Sequence, residues 1–452
     1  MMQTAPKSLR LQIGLVGRTN VGKSSFLNYI AGQDVAVTSP VPGTTTDVVE
    51  KAMELLPIGP VTFLDTAGLD DRSELAERRL QKTAIALNRA DIVVLLTEPG
   101  QWGEFEERVV DGAAQRKQPV IVVVNKTDLP SIGKPEAAFF QPSFARQAAL
   151  GCQPLEKCSS DPAVAGSPDG GRRPPLQKIV GWLDCSCLDA ARRERVVCRF
   201  KELLLKACPD DYVNPPALVA DLLPPGGLMV MVVPIDLQAP KGRLILPQVQ
   251  AIRDALDGDA AALVVKEREY AALLGRLNRP PDLVVCDSQV VLKMVADTPR
   301  DVKCTTFSIL FARYKGDLQV LARGAAMIDR LRAGDRVLVA ESCSHHALED
   351  DIGRVKIPRW LRQYTGLDVQ IDVSAGRDFP QDLSGYKLVV HCGSCMLTRR
   401  EMLAHIQRAQ AQGVAITNYG LAISVTQGVL KRALSPFPAA LDAFEREILG
   451  RT

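Results

Sequence analysis

Leu11-Gln-Ile-Gly-Leu-Val-Gly17-Arg-Thr-Asn-Val-Gly22-Lys23-Ser24-Ser25 is an apolar run that turns into G-x-x-x-x-G-K-[ST] and then into the helical spacing of FLNYIAG (26–32). The succession of buried strand, glycine-bounded loop and helix is a phosphate-binding turn. Gly17 and Gly22 let backbone N–H groups wrap phosphate oxygens at the positive end of the helix. Lys23 puts a point charge on the β and γ phosphates. The Ser24 hydroxyl is placed to ligate Mg²⁺, and Ser25 is assigned with it as a nucleotide contact.

The surroundings of this loop read as a doubly wound α/β domain. PVTFLD (60–65), DIVVLL (91–96) and PVIVVVN (119–125) are near-continuously apolar, as strands buried on both faces of a parallel sheet are. ERRLQKTAIALNRA (77–90) has helical spacing between two of them. Two strand ends carry chemistry. Asp65-Thr-Ala-Gly68 offers a carboxylate that reaches the metal through water and a Gly68 N–H that senses a γ-phosphate. Asn125-Lys126-Thr-Asp128 offers a carboxylate that accepts from guanine N1–H and N2–H₂, a donor pair adenine lacks. Leaving that carboxylate unpaired would discriminate strongly. The expected nucleotide is therefore GTP, with the Lys126 stem packed on the base.

Beyond residue 130 the pattern changes. Residues 131–175 are rich in Pro, Gly and Ser without a sustained period, and read as a loop-like insertion. Regular structure resumes at LQKIVGWLD (176–184) and the helical RRERVVCRFKELLLKA (192–207). From about 215 a second α/β pattern starts: strands at 228–234, 261–265 and 281–287, with helices at 246–257 and 266–277. From about 305 a third has strands at 336–342, 387–392 and 413–418 and helices at 319–332, 398–412 and 436–449. The expected architecture is α/β: a P-loop domain followed by two smaller α/β domains with parallel sheets.

The last of these regions holds all 4 His of the chain. Cys343-Ser-His345 follows one strand, and His391-Cys392-Gly-Ser-Cys395 follows another. Both leave the carboxyl ends of strands, where open α/β sheets bind ligands. A C-x-x-C turn lets two thiolates converge, and Cys343 brings a third. His345, His391 and acids such as Glu341 are candidates for a further position. Three readings stand side by side: an iron–sulfur cluster with three Cys and a non-Cys fourth site, zinc with mixed Cys/His ligands, and a redox C-x-x-C among unrelated core residues. His346 and His405 read as surface or core residues, and Cys185-x-Cys187 as packing near the nucleotide.

Composition narrows the field. The chain has 452 residues, 55 basic and 52 acidic, with net charge +3. This gives no bulk electrostatic case for nucleic acid or an anionic membrane. No run approaches the length of an apolar membrane span. The start MMQTAPKSLRLQIGLVG lacks a secretory apolar region, and the 11 Cys are odd in number. A reducing, cytoplasmic setting with free thiols is expected.

GRTNVGKS, PGTTTD (42–47), DTAG and NKTD, in this order, resemble the Era/TrmE group of GTPases over about residues 8–208. The resemblance implies Thr45 as a second Mg²⁺ ligand, ahead of Thr44. It implies Asn20 as a ligand of a structural K⁺, aided by carbonyls around 39–41. It also implies a Ser-Ala motif under the base, whose best match is Ser186-Cys187. Leu69 after DTAG cannot orient water as Gln would, so slow, K⁺-stimulated hydrolysis is expected. C-x-H, then H-C-x-x-C, downstream of such a GTPase, together with FARYKGDL (311–318) and VVHCGSCM (389–396), is similar to the HydF family of [FeFe]-hydrogenase maturation GTPases. That resemblance implies a GTPase domain at 1–210, a dimerisation domain at 211–305 and a cluster domain at 306–452. It implies a [4Fe–4S] cluster on Cys343, Cys392 and Cys395, and a scaffold that carries a di-iron precursor to apo-hydrogenase. The implied partners are a second copy in a homodimer or tetramer, two radical-SAM maturases and the hydrogenase, with no membrane and no nucleic acid. The competing readings are a zinc-binding regulatory GTPase and an RNA-associated Era-like GTPase.

Overall fold

The computed structural model describes residues 6–32, 49–65, 87–128, 179–234, 244–342, 351–376 and 379–450. The chain divides into one compact unit at Leu11–Cys208 and another formed mainly by Pro209–Thr452.

The first unit is built on a six-stranded sheet in the order β2-β3-β1-β4-β5-β6. Its strands are β1 (Leu11–Gly17), β2 (Val49–Leu55), β3 (Gly59–Asp65), β4 (Ile92–Thr97), β5 (Val120–Val124) and β6 (Ile179–Asp184). All pairs are parallel except β2 with β3. Every residue of β1 and β4 is buried, which is why these runs lack polar alternation. The sequence reading did not foresee β2, because VEKAMEL mixes charged and apolar residues as an edge strand does. The helices Lys23–Ala31, Glu104–Gln115 and Arg193–Ala207 belong to the same unit. Among the described residues of 77–90 only 87–89 are helical.

The second unit contains two four-stranded, all-parallel sheets of identical connectivity. One has the order β10-β9-β7-β8, with β7 (Leu228–Val232), β8 (Ala261–Val265), β9 (Leu283–Cys286) and β10 (Lys303–Thr306). The other has the order β12-β11-β13-β14, with β11 (Arg336–Glu341), β12 (Gln370–Ala375), β13 (Leu388–His391) and β14 (Ala415–Asn418). In each, the second strand lies on one side of the first, and the third and fourth lie on the other. The crossovers therefore diverge between first and third strands, and a crevice opens at their carboxyl ends. Strands β10 and β12 escaped the sequence reading: KCTT is short, and QIDVSA is a half-exposed edge.

One hydrophobic core joins these two sheets. Val284, Phe307, Phe311, Leu321, Val339, Ile416 and Leu421 belong to a single buried cluster. Gly324 shows how closely it packs: a Cβ there would overlap the Ile416 carbonyl on β14. Among the described residues, no helix is long and apolar enough to cross a membrane.

Candidate functional site

The first candidate site is gathered at the carboxyl ends of β1, β3, β5 and β6. Gly22 has φ 93°, and a Cβ on it would overlap the Asn125 side-chain amide. Glycine is required there twice over, by conformation and by space. Asn20 also lies in the left-handed region, at φ 60°. The Lys23 ammonium is folded over the loop and donates to Gly17 O at 2.9 Å and Arg18 O at 2.8 Å. Ser24 Oγ donates to Asp65 Oδ2 at 3.3 Å, so the two metal-binding candidates are already in contact. Burial raises the Asp65 carboxyl above its usual range, against the lowering pull of Lys51 and Lys23. Ser25 is exposed beside Ser24. Arg18, which no motif singled out, is fixed by a two-pronged bond to buried Glu106, at 2.8 Å on each oxygen.

The guanine motif is tied to this loop. Asn125 Nδ2 donates to Val21 O at 2.9 Å. Lys126 Nζ donates to Glu98 Oε1 at 2.6 Å, and its φ is 60°. Asp128 is exposed and held below its ordinary range, first by a hydrogen bond from the Ser186 hydroxyl. Ser186 is itself buried. Cys185 and Cys187 both donate their thiols to Asn125 Oδ1, at 3.4 and 3.2 Å. The structure thus brings Asn125, Asp128 and Ser186 together. Thr44, Thr45, Gly68, Leu69 and the carbonyls of 39–41 lie outside the described residues, as does the 131–175 stretch.

The second candidate site lies at the crevice between β11 and β13. Cys392 follows β13, and its N–H donates to Ala340 O of β11 at 2.8 Å. Its sulfur accepts the Ser342 N–H at 3.3 Å and lies 3.1 Å from the Ser342 hydroxyl. Burial alone would raise this thiol, but contacts with His391, Ser342 and the Ser394 N–H outweigh it and bring it to about 7. Cys395 moves the other way, raised by burial and then by the charge of Cys392. The Cys392–Cys395 turn passes through Ser394 at φ 57°. Under it, buried Lys315 donates from Nζ to Ser394 O at 2.9 Å, Cys395 O at 3.1 Å and Leu397 O at 2.7 Å. Burial lowers the Lys315 ammonium to about 8.

His391 is fully buried and does not stand alone. Its Nε2 lies 3.0 Å from His405 Nδ1, and its Nδ1 lies 3.0 Å from Cys392 O. His405 stacks on Phe379 at 4.1 Å. Burial, followed by the neighbouring His391, lowers His405 to about 2. Sequence reading left His405 as a bystander, since its helix, Arg399–Ala411, gives no local signal of a partner 14 residues away. Lys315 was missed for the same reason. Glu341 is buried at the end of β11, with Oε2 3.2 Å from Arg354 Nε. Cys343, His345 and His346 lie outside the described residues. Among the described residues no three His, Cys, Asp or Glu converge as a metal site. The donors that are described do suit a thiophilic centre: a buried thiol at Cys392 with the Ser342 N–H on its sulfur, a half-buried thiol at Cys395, and a cation beneath the turn.

Comparison with known proteins adds three matches in series. The 50S ribosome-binding GTPase family matches residues 12–126, the Hydrogen maturase F dimerization domain matches 218–316, and the Hydrogen maturase F tetramerization domain matches 319–436. The chain belongs to the hydrogen maturase F family. Its N-terminal domain is a P-loop GTPase domain, and its two other domains are this family's oligomerisation modules. The tRNA modification GTPase MnmE of Synechococcus sp. (strain JA-3-3Ab) is 38% identical over 163 residues, 35% of each chain. That of Nitrosomonas europaea is 39% identical over 120 residues, 26% of each. The match therefore spans about a third or less of the length of these curated relatives. Among solved structures, Aquifex aeolicus Era aligns with 44% of this chain and 57% of its own at 22% identity and TM-score 0.30. The G domain of the T. maritima FeoB aligns with 44% and 98% at 18% identity and TM-score 0.27.

Proposed function

We propose that this family member is a GTP-hydrolysing scaffold that binds a [4Fe–4S] cluster and carries a di-iron precursor to apo [FeFe]-hydrogenase. The observation that carries the reading is the Ser342 N–H on Cys392 Sγ at 3.3 Å. Ser342, the last described residue of that strand end, thus lies against one sulfur of the C-x-x-C turn, and it is followed in sequence by the third cysteine of the motif, Cys343. Cys343, Cys392 and Cys395 would hold the cluster, with His345 and His391 as candidates beside the fourth iron. A cluster on three thiolates supplies one iron with an exchangeable position, which suits a carrier.

In the GTPase domain, Gly17, Gly22, Lys23, Ser24 and Ser25 would bind the phosphates, and Asn125, Lys126, Asp128 and Ser186 the guanine. Ser24 and Thr45 would ligate Mg²⁺, Asp65 would hold it through water, Asn20 would ligate K⁺, and the Gly68 N–H would sense the γ-phosphate. Radical-SAM maturases and the hydrogenase would be the partners, in a reducing cytoplasm. Self-association would use edges such as β8, which exposes Val264 and has one open side.

The test is anaerobic reconstitution of the full chain and of its Cys343→Ser variant, followed by iron and sulfide analysis and GTP turnover. The reading predicts about four irons per chain for the parent, loss of iron from the variant, and unchanged turnover. A colourless parent with one tightly bound zinc would replace this reading with a zinc-binding regulatory GTPase.

A further inference from the structure

The cysteine turn is gripped from another segment of the chain. Lys315 ends the helix Phe307–Lys315, inside the stretch matched by the dimerization family, whereas the turn lies in the stretch matched by the tetramerization family. The lysine is 1% exposed, and its hydrogen bonds go to three neutral carbonyls: Ser394, Cys395 and Leu397. The Phe311 ring lies 5.4 Å from Nζ, and Glu401 adds a favourable charge after Cys395, yet burial outweighs them, so further negative charge near this ammonium is stabilising.

Peptide geometry turns this grip into an orientation of the sulfur site. In a trans peptide the C=O and the following N–H point to opposite sides. With the Ser394 and Cys395 carbonyls drawn to Lys315, the N–H groups of Cys395 and Met396 face the other way. Those two N–H groups act to lower the Cys395 thiol, against the burial that raises it. The left-handed Ser394 lets consecutive N–H groups converge in this manner.

We propose that Lys315 is the positioning residue of the C-x-x-C turn: it sets the peptide planes that aim N–H groups at the Cys395 sulfur, and its charge offsets the negative charge that thiolates and cluster bring into the core. This inference rests on the iron–sulfur reading above. A fixed positive charge favours the more reduced state of a nearby cluster, and hydrogen bonds to sulfur act in the same direction. Lys315 therefore raises the cluster's reduction potential as well as its retention.

The experiment compares the parent chain with Lys315→Gln and Lys315→Met, all reconstituted anaerobically. Lys315→Gln keeps a donor without the charge, and Lys315→Met keeps the stem without either. Circular dichroism and nucleotide binding report folding. Bound iron and an EPR-monitored redox titration report the site. The expected result is a more negative midpoint potential for Lys315→Gln at near-normal iron, and loss of at least half the iron from Lys315→Met. If Lys315→Met fails to fold, the potential of Lys315→Gln decides. Parental iron and parental potential in the folded variants would overturn the inference. A parent chain that binds no cluster would instead overturn the reading on which it rests, and this inference with it.

Discussion

Two lysines in this molecule do the same mechanical task in different ways. Lys23 and Lys315 are both buried, and both turn their ammonium groups to the carbonyls of a tight turn at the carboxyl ends of parallel strands. Lys23 grips its own loop, five and six residues back along the chain. Lys315 grips a turn 79 to 82 residues away. The first arrangement is a local motif that nucleates as loop and helix form together. The second exists only after two sheets have closed on a common core. The nucleotide site is thus specified by neighbours in sequence, and the cysteine site by neighbours in space.

The sharpest way to break this contrast is Cys392→Ser. It should reduce bound iron to background while leaving GTP turnover at the parental rate, measured on the same anaerobic samples. A parallel fall in turnover would mean the two sites are not separable. Lys23→Met is the mirror image. Removing a charge-assisted partner of phosphate costs about 3 kcal/mol, or roughly a hundredfold in affinity. Nucleotide binding should weaken by that factor, seen by fluorescence titration, with iron content unchanged.

Asp128→Asn probes the guanine contact alone. Loss of the carboxylate acceptor should weaken GTP binding by about 2 kcal/mol, roughly thirtyfold. ATP binding should not weaken with it. Equal loss for both nucleotides would remove Asp128 from base selection. The smallest effect on either site, as distinct from stability, is expected from Gly324→Ala. Its Cβ would press on the Ile416 carbonyl, as overpacking does, at about 1–3 kcal/mol. Urea unfolding should detect this in the cysteine-bearing unit, and GTP affinity should be unaltered.

The same contrast explains what the sequence made legible. Strands β1, β4 and β5 were readable because burial on both faces leaves unbroken apolar runs. The P-loop and NKTD were readable because their spacing is their function. The helix Tyr419–Thr426 was not, since six of its residues are buried on all sides and no 3.6-residue period survives. Cys392 and Cys395 declared themselves as a pair, but His405, Lys315 and Ser342 did not. Each of these three reaches the site through tertiary packing, and none has a spacing that distinguishes it. Ser186 is the best sequence match for the residue under the base, reached by following the chain past an insertion to the next strand. Its hydrogen bond to Asp128 is a contact between strand ends that the linear order does not encode.

The central claim is that the cysteine turn holds an iron–sulfur cluster in a chain that also hydrolyses GTP. A low-temperature EPR spectrum of the reduced, anaerobically purified full chain tests it most directly. The account predicts the signal of a reduced [4Fe–4S] cluster that disappears in Cys392→Ser. A silent spectrum from a colourless protein carrying stoichiometric zinc would contradict it.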